Sequence, residues 1–278
     1  MKTVLTIAGS DSSGGAGIQA DLKTMTELGT FGMSAITAIT AQNTCGVNAV
    51  LALPCDMISA QIDAVCDDIF PDAVKIGMLA NSQIVECVAA SIKKNAMKNI
   101  VLDPVMVSTS GHRLLDDDAS DALINVLMPL ADIITPNIPE AECLAGMKIA
   151  SKADMIKAAG IIAGSFEGAV LIKGGHLANT GANCIEDSAN VAADLLYHGG
   201  QTQWFEAEFV DNPNTHGTGC TLSSAIASEL AKGADMPEAV RKAKAYLTGA
   251  IKAGLNLGKG RGPLNHAWQN TISDCRSL

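Results

Sequence analysis

Val4-Leu5-Thr6-Ile7-Ala8-Gly9-Ser10-Asp11-Ser12-Ser13-Gly14-Gly15-Ala16-Gly17-Ile18-Gln19-Ala20-Asp21 holds a strand-like run, a glycine-dense turn and the start of a helix. The run Val4–Gly9 does not alternate apolar with polar side chains, which is the pattern of a strand covered on both faces. Similar runs recur at Ser34–Gln42, Ala73–Leu79, Ile100–Val105, Ile133–Asn137 and Ala169–Gly174. Stretches of helical period lie between and after them: Ile18–Leu28, Met57–Phe70, Ser82–Asn95, Asp116–Met128, Lys152–Ala163, Gly219–Ala231 and Pro237–Leu257. In the second of these Ile58, Ile62, Val65 and Ile69 form an apolar stripe at spacings of three and four. Repeated β-α alternation predicts a mostly parallel sheet between two helical layers, a three-layer α/β/α fold. From Asn190 to Val210 the period changes, and Gly199-Gly200 between two β-rich arms predicts an antiparallel hairpin on the sheet edge. No linker, repeat or charge block interrupts the 278 residues, so residues 1–278 are expected to form one domain.

Composition narrows the class of function. With 48% hydrophobic and 17% charged residues the chain has ample material for a core. Aromatic residues are only 3% and the net charge is −10, which disfavours nucleic-acid or anionic-membrane surfaces but leaves room for one local phosphate site. The eight cysteines follow no CxxC or zinc spacing, and most are expected to be small buried hydrophobes. The first apolar run is too short for a signal peptide or a membrane span, and a reducing cytoplasm is expected. These features together suggest a metabolic enzyme.

In parallel sheets ligands bind beyond the carboxyl ends of the strands, and the unusual residues fall in those loops. The glycines of Gly9–Gly17 would let backbone amides approach a ligand at a helix N-terminus, or simply form a tight βα turn. His216-Gly217-Thr218-Gly219-Cys220-Thr221 opens an apolar helix and would present several amides to an oxyanion. There the helix dipole would lower the Cys220 thiol pKa, with His216 placed to exchange its proton; the bland alternative is a glycine turn with a buried cysteine. Asp103 and Glu140 stand after apolar strands, where two carboxylates could hold Mg²⁺ through oxygens and water, while Glu140 and Glu142 would equally suit a first helical turn. The segment Val107–Leu115, small and hydroxylated with His112 and Arg113, would suit a flap near 107–115 or a plain loop.

Six stretches stand in the order and spacing of one family: Gly9–Asp21, Thr40–Thr44, Lys75–Leu79, Leu102–Met106, Thr135–Glu140 and His216–Thr221. From Val4 to about Leu257 the chain resembles the hydroxymethylpyrimidine/phosphomethylpyrimidine kinases of thiamine biosynthesis, members of the ribokinase-like vitamin kinases. The resemblance implies a ribokinase-like fold, usually a homodimer, that uses Mg-ATP to phosphorylate a hydroxymethyl group and then the monophosphate. It assigns the pyrimidine pocket to Asp21, Gln42, Met78, Val105 and Val107. Catalysis falls to His216, Gly217, Thr218, Gly219 and Cys220. Nucleotide and phosphate would meet Asp103, Asn137, Glu140, Lys173 and Asp211, with Asp103 and Glu140 on the metal. A related pyridoxal kinase activity uses a second cysteine in the flap, and this sequence has none between Cys87 and Cys143. A non-catalytic pyrimidine sensor would have lost phosphate machinery that is present here.

Overall fold

The computed structural model describes residues 1–106, 117–175 and 191–270. Nine strands form one sheet: β1 (Thr3–Asp11), β2 (Phe31–Asn43), β3 (Gly46–Ala52), β4 (Ala73–Ile76), β5 (Ile100–Leu102), β6 (Ile133–Ile134), β7 (Ala169–Ile172), β8 (Val191–His198) and β9 (Gln201–Glu208). Their order is β3-β2-β1-β4-β5-β6-β7-β8-β9, parallel from β2 to β7 and antiparallel at both ends. The order in which strands are added reverses between the parallel neighbours β1 and β4, so a crevice opens beyond the carboxyl ends of those two strands.

Adjacent residues of the parallel strands face opposite layers. Leu5, Ile7, Val74, Ile76, Leu102, Ile134 and Val170 pack with α2 (Cys55–Asp68), α3 (Ser82–Lys94), α5 (Ile138–Ala145) and α6 (Lys152–Ala163). Val4, Ala73, Val101, Ile133 and Ala169 pack with α7 (Thr218–Ala231) and α8 (Met236–Ala253), beside α1 (Gly17–Glu27). Two covered faces explain why these strands do not alternate. The helices follow their sequence signals: Asn81 caps α3 by accepting from Ile84, and α3 buries Ile84, Val85, Val88 and Ile92. Helix α7 is buried along almost its whole length, because it crosses the sheet beneath the site.

The hairpin turns at Gly199 (φ 56°) and Gly200 (φ 78°), as a two-residue turn requires. The second antiparallel edge, β3, was not foreseen, although Gly46 followed by Val47–Leu51 is itself a turn and a strand. The expected helix Asp116–Met128 is a short α4 (Asp117–Ala122) that widens into a π-type turn and tightens to 3₁₀ at Met128–Leu130, with Pro129 closing it. The cysteine expectation is corrected: of the six described cysteines, Cys55, Cys66, Cys87 and Cys220 are half-buried, and Cys45 and Cys143 are exposed, because they occupy a turn and an outer helix face. All six are free thiols. No described helix is long and apolar enough to cross a membrane.

Candidate active site

A cavity of about 440 Å³ occupies the crevice at the reversal point. Two glycine turns form its floor. Gly217, at φ 86°, caps α7, and a Cβ there would lie 1.9 Å from the Gly15 carbonyl oxygen, so only glycine permits the two loops to meet. Gly219 follows on the same turn, where a Cβ would lie 3.1 Å from Asp103 Oδ2 and 3.4 Å from Lys173 Nζ. The first turn of α7 thus abuts an ion pair at the ends of β5 and β7. By position, the Gly219 and Cys220 amides have no acceptor within the helix and are free for an anion.

Charged side chains of alternating sign line the carboxyl ends of the strands. Lys75 and Asp21 are fully buried and paired at 2.8 Å, with Thr6 (2.6 Å) and Ser224 (2.7 Å) also donating to Asp21. Lys173 reaches Asp103 Oδ1 at 3.0 Å, and Thr135 donates to the same oxygen at 3.2 Å. Desolvation opposes the charge on Lys173, but Asp103 and Glu140 outweigh it and raise its pKa. Glu140 closes a capping box with Asn137: each side chain accepts from the other's backbone N–H, at 2.8 and 2.9 Å. Glu140 therefore sits in a first helical turn and also lines the cavity. Burial raises its pKa, to about 7, with Asp103 adding to the rise and Lys173 opposing it. A buried carboxyl group so reluctant to ionise marks negative charge that the protein leaves partly uncompensated. Hard carboxylate oxygens in that condition fit Mg²⁺, which takes one or two protein carboxylates and completes its shell with water and phosphate. Among the described residues no cluster of three or more His, Cys, Asp or Glu could hold a metal by itself, in keeping with such a shared site.

At the other end of the cavity Met78 lies over Gly9, where a Cβ would sit 3.4 Å from the Met78 sulfur. Gln42 projects from β2; its backbone is pinned by Ser12, whose Oγ donates to the Gln42 carbonyl and accepts from its N–H. His216 Nε2 lies 2.8 Å from Asp11 Oδ2, and Asp11 also accepts from Ser13, Gly15 and Ala16. Burial tends to raise the Asp11 pKa, but hydrogen bonds from His216, Ser13 and Ala16 prevail and lower it to about 2.

Gln42, Met78, Val105, Asp103, Asn137, Glu140, Lys173, Asp211 and the turn His216–Cys220 all border this cavity. Val107 and the expected flap lie outside the described residues. Three expectations are corrected. Asp21 does not border the cavity; it lies behind the wall, its oxygens occupied by Lys75, Thr6 and Ser224. The Cys220 thiol pKa is not lowered: burial pushes it up to about 11, and Asp21 and Asp103 add to the rise against Lys75 and the Gly17 amide, so the dipole is overmatched. His216 points at Asp11 rather than exchanging a proton with Cys220. Sequence reading passed over Lys75, a lysine inside the apolar strand Ala73-Val74-Lys75-Ile76, although a charge so placed demands a buried partner. It also passed over Asp194 and Lys244, a buried pair at 2.6 Å that borders the cavity from β8 and α8. His266 is buried, its Nε2 3.0 Å from Thr221 Oγ1.

The phosphomethylpyrimidine kinase family model matches residues 11–265. The hydroxymethylpyrimidine/phosphomethylpyrimidine kinase of Streptomyces coelicolor is 48% identical over 265 residues, covering 95% of this chain and 94% of that protein. Among solved structures, the phosphomethylpyrimidine kinase of Clostridium difficile is 48% identical with a TM-score of 0.78, covering 90% of this chain and 100% of that one. An ADP complex of Bacillus subtilis pyridoxal kinase is 41% identical with a TM-score of 0.85, covering 98% of this chain and 99% of that one. The α/β architecture, with its antiparallel edges on a mostly parallel sheet, is that of these ribokinase-like enzymes.

Proposed function

The chain belongs to the phosphomethylpyrimidine kinase family, and we propose that it uses ATP to phosphorylate 4-amino-5-hydroxymethyl-2-methylpyrimidine and then its monophosphate, for thiamine biosynthesis. One observation carries this reading: a single cavity joins an amide and a thioether, suited to a small heteroaromatic ring, to a helix N-terminus flanked by two lysine–carboxylate pairs. Gln42 would pair with the ring nitrogen and exocyclic amine, and Met78 and Val105 would cover the ring. The hydroxymethyl group then faces the first turn of α7. Lys173 and the Gly217–Cys220 amides would hold the transferring phosphoryl group, whose charge spreads over its equatorial oxygens. Asp103 and Glu140 would hold Mg²⁺, which supplies charge neutralisation to the phosphates. Asp211 at the rim and the apolar Val210, Leu247 and Ile251 border the side left for the nucleotide base.

Cys220 would accept the hydroxyl proton in the first transfer. Burial holds its thiol pKa up at about 11, and the Lys75 ammonium and the Gly17 amide favour the thiolate. The second acceptor is already an anion, so that step needs charge neutralisation more than a base. The pyridoxal kinase relative shows that the fold alone does not choose between ring systems. The absence of any cysteine between Cys87 and Cys143 is what favours the pyrimidine, because no flap thiol is available to capture an aldehyde. The same reading makes the enzyme a cytoplasmic homodimer. Free thiols support the compartment, and Ile39 (48% exposed), paired across the strands with Leu51 (65% exposed), supports an apolar dimer face. The test is a mass-spectrometric assay with the pyrimidine and Mg-ATP that scores mono- and diphosphate products. Turnover of pyridoxal with no turnover of the pyrimidine would refute it.

A further inference from the structure

Asp11 accepts through Oδ2 from His216 Nε2 at 2.8 Å, so that ring nitrogen carries its proton toward the carboxylate and cannot accept a second one. The amide of Gln42 meets the same nitrogen at 3.4 Å. An amide NH₂ turned toward it would set two donors face to face. The opposite end of the amide lies 3.2 Å from Thr40 Oγ1, whose own proton goes to the Ser10 carbonyl at 2.8 Å. Thr40 thus has a lone pair to spare for Gln42, whereas its one proton would have to be shared between the Ser10 carbonyl and the Gln42 oxygen. Oxygen and nitrogen of a carboxamide can exchange places within its plane, and only one arrangement gives each contact a donor and an acceptor. That arrangement exchanges the amide nitrogen now facing His216 with the oxygen facing Thr40, so that the oxygen shares the His216 Nε2 proton with Asp11 and the nitrogen donates to the Thr40 lone pair. Ser12 fixes the Gln42 backbone from which this amide extends.

We propose that Asp11, His216 and Thr40 are positioning residues that lock the orientation of the Gln42 amide, and so set the enzyme's selectivity for a ring bearing an amino group beside a ring nitrogen. A locked amide offers one acceptor and one donor in fixed order. A 4-aminopyrimidine answers with an amine donor and an adjacent ring acceptor. A ring without the amine withdraws one donor from the amide oxygen, and polar groups of a site left unpaired are what make hydrogen-bonding sites selective. The inference rests on the reading of Gln42 as the pyrimidine contact.

The experiment measures kcat/KM with Mg-ATP for 4-amino-5-hydroxymethyl-2-methylpyrimidine and for its 4-deamino analogue. It compares the wild type with Thr40→Val, His216→Leu and His216→Gln. The wild type should favour the amino compound by more than about tenfold. Thr40→Val, which keeps shape and burial, and His216→Leu should each shrink that preference to within about threefold through KM for the amino compound, with KM for Mg-ATP held within about twofold. His216→Gln, which can still donate to Asp11, should recover most of it. A preference retained in both Thr40→Val and His216→Leu overturns the lock, as does a rise in both KM values together, the mark of general distortion. No wild-type turnover of the amino compound overturns the proposed function and the lock with it, whereas wild-type turnover without a preference overturns the lock alone.

Discussion

Lys75→Met removes the cation from a pair whose two side chains have no exposed surface. Asp21 would keep its bonds from Thr6 and Ser224 but lose its counter-charge. Breaking one partner of a buried pair costs about 3–5 kcal/mol, because an uncompensated charge stays behind. A second route gives the same size: a carboxyl group with an ordinary pKa near 4 costs about 4 kcal/mol to protonate at pH 7. For a chain of this size each kcal/mol corresponds to roughly 2–4 °C, so the melting temperature should fall by roughly 6–20 °C. The sign of the pH dependence follows. In the variant the folded state binds a proton that the unfolded state does not, so its deficit against the wild type should shrink by about 1.4 kcal/mol per pH unit between pH 7 and 5. Lys75→Met/Asp21→Asn, with no charge left to bury, should regain most of the loss. The assay is thermal unfolding of the three proteins at pH 5, 6 and 7. A loss below about 1 kcal/mol for the single variant, or a double variant as unstable as the single, would refute the reasoning.

Three further outcomes are expected. A thiol pushed up to about 11 gains thiolate as pH rises, so kcat/KM for the first transfer should climb about tenfold per unit from pH 7 to 9. Cys220→Ala should flatten that slope and slow the first transfer by at least about 100-fold while sparing the second; equal losses would assign Cys220 to the shape of the anion site instead. Because the folded pKa of Glu140 is raised, the stability this group contributes is present at low pH and lost as pH rises through about 7. Glu140→Gln should therefore melt higher than the wild type at pH 8.5, with the difference vanishing near pH 5 in scans without added metal. Gly219→Ala places a methyl group 3.1 Å from Asp103 Oδ2 and should raise KM for Mg-ATP several-fold with an unchanged melting temperature, measured by steady-state kinetics and thermal scans.

Most of the architecture and the residues around the cavity were legible in the chain itself. Non-alternating runs such as Val4–Gly9 fix a sheet covered on both faces, because burial on each side selects apolar residues at every position. Gly199-Gly200 fixes a hairpin, since its turn needs two left-handed residues in a row. The glycines at 217 and 219 and the carboxylates at 103 and 140 are marked out by placement at strand and helix ends. Tertiary structure alone decided which of these side chains reach a ligand and in what charge state. Asp21 and Lys75 are 54 residues apart, and only the packing of α1 on β1, beside β4, shows that they occupy each other. Whether a helix dipole lowers the Cys220 pKa depends on the carboxylates and burial around it, which lie far off in sequence. His216, whose ring meets the Gln42 amide, lies 174 residues away. Local sequence governs backbone conformation and apolar period, whereas desolvation and pairing are set by neighbours that only the closed fold supplies.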